Sequence, residues 1–92
     1  MVRYGIVGCG MMGREHIRNI SLLPETSIVG VFDPDPEMCK LTKHIVPDTE
    51  FFQSLQSLLK EVEFDCLVVA TPNFRHIDDL YEILKYSNKP IL

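Results

Sequence analysis

Glycines at positions 8, 10 and 13 follow directly on Val2-Arg3-Tyr4-Gly5-Ile6-Val7, a run rich in β-branched and aromatic residues. The run reads as a buried strand that stops at glycine. Behind it Gly13, Ile17 and Ile20 fall on one face at i, i+4 and i+7, the period of a helix. Pro24 places the end of that helix near Leu22 or Leu23. A strand that turns through glycines into a helix opens a βαβ unit, and this junction limits the chain to folds that contain one.

The alternation continues to the last residue. Ser27 to Phe32 is a second buried strand, ended by Asp33. Asp35 and Pro36 have the form of an N-cap and a first-turn proline, and Met38, Leu41 and Ile45 mark the apolar stripe of a second helix broken by Pro47. Residues 50–52 form a short third strand, and Ser54 caps a short helix with the stripe Leu55, Leu58 and Leu59. Residues 66–70 are a fourth, strongly apolar strand. Thr71-Pro72-Asn73 is the loop after it, and Ile77, Leu80, Tyr81 and Leu84 are the stripe of a last helix stopped at Asn88. Ile91 and Leu92 begin a fifth strand, so the chain is expected to continue in the intact protein or to be a truncated piece of it. The order βαβαβαβαβ calls for an α/β fold: a doubly wound parallel sheet with helices on both faces, cut at its fifth strand.

In that fold the three glycines have separate tasks. Gly8 permits the tight turn out of the strand, Gly10 lets a pyrophosphate approach the backbone with no Cβ in the way, and Gly13 lets the helix lie close to the strand. The amides of Met11 and Met12 open the helix, where free N–H groups and the helix dipole favour phosphate. Asp33 lies twenty residues past Gly13, at a strand end. A carboxylate there accepts hydrogen bonds from ribose hydroxyls and repels a 2′-phosphate; equally, Asp before Pro34 is a common turn former. With no Arg or Lys at 34–36 and a second acid at Asp35, NAD is favoured over NADP. Thr71, Pro72 and Asn73 would face the same crevice, although Asn73 also suits an N-cap.

Composition removes other classes. The 92 residues allow one small domain, 46% of them are hydrophobic, and the net charge of −4 comes without a basic stripe, which argues against nucleic acid or an anionic membrane surface as a partner. No apolar run approaches bilayer length and no secretory signal is legible, so a cytoplasmic protein is expected. Cys9, Cys39 and Cys66 are too widely spaced for a metal pattern and read as packing residues or reduced thiols. His16 and His76 read as helix residues that pack or cap, with His76 also a candidate for contact with a ligand. His44 reads as solvated, and so, by a narrow margin over a phosphate contact, does Arg14.

Three segments together carry a resemblance: Gly5-Ile6-Val7-Gly8-Cys9-Gly10-Met11-Met12-Gly13 with His16, Val31-Phe32-Asp33, and Val69-Ala70-Thr71-Pro72-Asn73 with His76. The whole chain resembles the N-terminal NAD(P)-binding Rossmann domain of the glucose–fructose oxidoreductase and inositol dehydrogenase (Gfo/Idh/MocA-type) family. Lys89-Pro90-Ile91-Leu92 resembles the strand leading to that family's Glu-Lys-Pro motif. The resemblance implies an oxidoreductase acting on hydroxyl carbons of sugars or polyols, homo-oligomeric when full length. A lysine after strand five and a C-terminal substrate domain would complete its site. None of these lies within positions 1 to 92, so no catalytic residue is assigned and the chain alone is expected to turn nothing over. A non-catalytic NAD-binding sensor with the same fold is the alternative. FAD, CoA or S-adenosylmethionine in the same crevice is a third class.

Overall fold

A computed structural model describes residues 1–71 and Ile83. The order is β1 (Val2–Val7), α1 (Met11–Ser21), β2 (Thr26–Phe32), α2 (Pro36–Lys43), β3 (Glu50–Phe52), α3 (Leu55–Glu61) and β4 (Cys66–Val69). The four strands form one sheet in the order β3-β2-β1-β4, with every pair parallel. The chain therefore winds outward from β1 to β3 and then crosses to the other side of β1. That reversal makes the β1/β4 junction a switch point, and crevices open there at the carboxyl ends of strands.

Alternation along the strands divides the interior in two. On one face Ile6, Val31 and Val68 meet Ile17 and Ile20 of α1, with Met38, Cys39 and Ile45 packed alongside. On the other, Val7, Phe32, Leu67 and Val69 meet Leu55, Leu58 and Leu59 of α3, together with Phe64 and the helical residue Ile83. The sheet thus has helices on both faces, as the apolar strands require. Only the second half of β1 is buried, so its expected coverage along the whole length is confined to Gly5–Val7. At its exposed start a two-way clip joins β1 to the segment before β4. The Arg3 guanidinium meets the Asp65 carboxylate at 3.1 Å, the Arg3 N–H donates to the same carboxylate, and the Asp65 N–H donates to the Arg3 carbonyl.

The second helix differs from its expected stripe. Leu41 is exposed, and Thr42 is fully buried in its place. Asp35 caps the helix, accepting from the Glu37 N–H at 2.9 Å, and so fixes where the first turn begins. From that start Met38, Thr42 and Ile45 face the sheet and Leu41 turns outward. The Thr42 hydroxyl donates to the Met38 carbonyl at 2.8 Å, so its burial leaves no donor unmet. The expected last helix, the stop at Asn88 and the fifth strand lie outside the described residues, apart from Ile83.

Candidate functional site at the carboxyl ends of the strands

The strand-to-helix junction is built from three glycines in three different situations. Gly8 has φ +94°, a left-handed backbone that disfavours any side chain, and a Cβ there would stand 2.8 Å from the Ala70 carbonyl carbon. Gly13 is buried in α1, and a Cβ on it would collide with the Gly8 carbonyl oxygen. These two glycines are demanded by the protein's own packing. Gly10 is not: its backbone is ordinary (φ −67°, ψ −166°), and among the described residues no atom beyond its chain neighbours lies within 4 Å of where its Cβ would be.

The first turn of α1 is equally open. Its N-cap is Gly10, no side chain caps it, and it carries no acidic residue. By contrast, Asp35 caps α2 and Ser54 caps α3. The Arg14 N–H closes the first helical bond onto the Gly10 carbonyl at 2.9 Å. The amides of Met11, Met12 and Gly13 therefore have no partner within the helix. The side chains of Met11 and Met12 are exposed.

Two residues flank the junction. Thr71 follows β4 and is buried, yet its Oγ1 has no hydrogen-bond partner among the described residues. A buried hydroxyl without a partner is costly and calls for one. Asp33 ends β2, and its carboxylate is engaged on both oxygens: Oδ2 accepts from the Cys9 N–H and Oδ1 from the Asp35 N–H, each at 2.8 Å. Each oxygen keeps a second lone pair for another donor. Beside Asp33, Pro34, Pro36, Lys40, Lys43, Phe51 and Gln53 line a cavity of about 470 Å³ at the carboxyl ends of β2 and β3. A second cavity, of about 340 Å³, lies at the opposite end of the sheet, lined by Thr26, Ile28 and Asp48 among others.

Residues named from sequence are thus brought together where they can be seen: Gly8, Gly10, Met11, Met12, Gly13, Asp33 and Thr71 meet around the ends of β1, β2 and β4. Pro72, Asn73 and His76 lie outside the described residues. His16 is exposed, so its expected packing role is not met, and His44 is exposed at the end of α2. Arg14 corrects its solvated reading. It is half-buried, and its Nη1 donates to the Cys9 carbonyl at 2.9 Å and to the Met38 sulfur at 3.3 Å. Cys9 is fully enclosed, and burial above all pushes its thiol up to about 12, so it is a packing group and not a nucleophile. Among the described residues no cluster of side chains could hold a metal ion, and no helix is long and apolar enough to cross a membrane.

A doubly wound parallel sheet with a glycine-lined, uncapped helix start at its switch point defines a nucleotide-binding α/β domain. Residues 2–91 match the family described as "Oxidoreductase family, NAD-binding Rossmann fold", and the chain belongs to it. It is 30% identical, over 99% of its length, to 2,7-anhydro-N-acetylneuraminate hydratase of Escherichia coli K12, and 28% identical, over 76%, to inositol 2-dehydrogenase of Burkholderia multivorans. These matches cover 25% and 21% of the relatives. Among solved structures, the chain superposes with a TM-score of 0.88 on myo-inositol dehydrogenase from Lactobacillus casei in complex with NAD(H) and myo-inositol, at 26% identity over 99% of this chain and 27% of that one. The WlbA dehydrogenase from Bordetella pertussis, in complex with NADH and UDP-GlcNAcA, gives 0.85 at 27% identity, over 98% of this chain and 27% of that one. The chain therefore spans about a quarter of the length of these proteins. The names are those of enzymes, and nothing among them favours a non-catalytic NAD-binding sensor.

Proposed function

We propose that this chain is the cofactor domain of a dehydrogenase that oxidises a hydroxyl carbon of a sugar or polyol, and that it holds NAD across the ends of β1, β2 and β4. The observation that carries the reading is the open space at Gly10, where a Cβ would meet nothing among the described residues, beside first-turn N–H groups of α1 that have no partner within the helix. A diphosphate fits that space. It would accept from the amides of Met11, Met12 and Gly13, and the positive end of α1 would favour its charge. Gly8 and Gly13 keep the junction tight enough for this. Asp33 has a free lone pair on each oxygen for the adenosine ribose hydroxyls, and the cavity beside it gives the adenosine room. Asp33 and Asp35 disfavour a 2′-phosphate while Lys40 and Lys43 in the same cavity oppose that effect, so the support for NAD over NADP comes chiefly from the neighbours holding NAD(H) and NADH. The orphan hydroxyl of Thr71 gains a partner when the crevice is filled. Pro72, Asn73 and His76 are assigned to the same crevice by their sequence pattern alone.

Bound NAD would supply the hydride acceptor. The residues of this chain bind and orient it. The groups that recognise substrate and move the proton are assigned to a further domain, as the greater length of the relatives suggests. Inositol and a UDP-sugar beside the cofactor in two neighbours support the sugar or polyol class. The three free thiols suit a reducing, cytoplasmic setting.

Calorimetric titration with NAD tests the reading. The unaltered protein binds, and Gly10→Val loses at least about tenfold in affinity, the loss expected when a ligand's hydrogen-bonded approach is blocked. Its melting temperature falls less than that of Gly13→Ala, because the new Cβ meets nothing among the described residues and the remaining loss is that of a valine at the N-cap of α1. Undiminished NAD binding by Gly10→Val would refute the phosphate role.

A further inference from the structure

The glycine loop owes its shape to residues outside it. Cys9, the one residue between the first two glycines, is held on both its polar backbone groups. Its N–H donates to Asp33 Oδ2 at 2.8 Å, and its carbonyl accepts from Arg14 Nη1 at 2.9 Å. Its side chain is fully buried among Ile6, Ile17, Val31 and Val68. The clamp reaches past the loop as well. The second oxygen of Asp33 accepts from the Asp35 N–H at the start of α2, and Arg14 also donates to the sulfur of Met38 in α2. One carboxylate and one guanidinium thus tie the loop to two helices.

We infer that Asp33 and Arg14 are positioning residues, clamping the Cys9 peptide groups so that the phosphate-binding amides of α1 are set before any ligand arrives. The inference deepens the dinucleotide reading and rests on it. A loop with glycine on both sides of Cys9 has wide backbone freedom, and freezing it on binding costs affinity. Holding it beforehand removes that cost from the binding step. The clamp does not compete with a ribose contact by Asp33, since each oxygen keeps a lone pair. It does take the Cys9 N–H out of the set of phosphate donors, which leaves the helix amides to do that work.

The test uses inorganic pyrophosphate, a probe with no ribose. Asp33→Asn removes a negative charge near the site, and on charge grounds alone that tightens pyrophosphate binding. A role limited to the ribose leaves pyrophosphate no weaker. The clamp predicts the opposite sign. Pyrophosphate affinity falls by about tenfold or more, the size of one lost charge-assisted hydrogen bond, and the Cys9 amide exchanges with deuterium faster in the ligand-free protein. Arg14→Lys keeps the charge, but its ammonium ends one bond short of the position from which Nη1 reaches the Cys9 carbonyl, and it lowers pyrophosphate affinity by about threefold with little change in melting temperature. This second variant decides the matter if Asp33→Asn fails to fold. Pyrophosphate binding unchanged or tighter in the folded variants, with normal binding by the unaltered protein, overturns the clamp alone. An unaltered protein that binds neither pyrophosphate nor NAD overturns the clamp and the dinucleotide reading together.

Discussion

At the scale of single residues, the glycines separate packing from the proposed binding. Gly13→Ala pushes a methyl group into the Gly8 carbonyl, which is backbone and cannot swing aside. Overpacking of this kind costs about 1–3 kcal/mol, so urea unfolding should show a clear loss of stability even without ligand. Gly10→Val should show the reverse profile. The packing roles of Gly8 and Gly13 were legible from sequence because strand, turn and helix follow one another without a gap, and that geometry leaves no room for a side chain at either position. The partners of Asp33 were not legible. Its place at a strand end is readable, but its bonds to the Cys9 and Asp35 amides depend on how the β2–α2 turn folds back over the loop. Arg14 escaped for the same reason: its acceptor is a main-chain carbonyl, and sequence patterns do not register such a partner.

At the scale of elements, helix starts decide much of the fold's phase. Asp35 illustrates this. Its side chain fixes the first residue of α2, and the phase that follows buries Thr42 and exposes Leu41. Periodicity alone selected the leucine because hydrophobic residues are expected to face inward. The cap and the back-bonded hydroxyl of Thr42 overrode that preference. Asp35→Ala should therefore cost about 1 kcal/mol of stability by denaturant unfolding. Leu41→Lys on the same helix should be close to neutral, since the side chain already meets solvent. Strands were read more reliably than helix faces. An apolar run covered on both sides needs no phase, and β1, β2 and β4 each came within a residue of their expected limits.

At the scale of the whole molecule, the three thiols make stability depend on pH. Burial raises Cys9 from 9.0 to about 12 and raises Cys39 and Cys66 as well. A group whose folded value lies above its unfolded one favours the folded state fully below the unfolded value. That contribution is lost as pH rises toward the folded value. For Cys9 the window runs from 9.0 to about 12, and each unit of pH within it removes up to about 1.4 kcal/mol. Unfolding free energy should be flat from neutral pH to about 9 and then fall, and Cys9→Ala should flatten the fall after allowance for its own packing loss. An equal slope in that variant would show that other groups govern alkaline unfolding.

The vacancy at Gly10 has a consequence for descent. Every glycine codon is one nucleotide from an alanine or a valine codon, and a Cβ at this position meets no atom of the described residues beyond its chain neighbours. If Gly10 admits the diphosphate as proposed, a duplicated gene can lose its dinucleotide in a single mutational step while its product still folds. The same lesion at Gly8 or Gly13 would remove the product as well. Folded relatives that no longer hold a cofactor should accordingly carry their substitutions at Gly10 more often than at the two glycines flanking it.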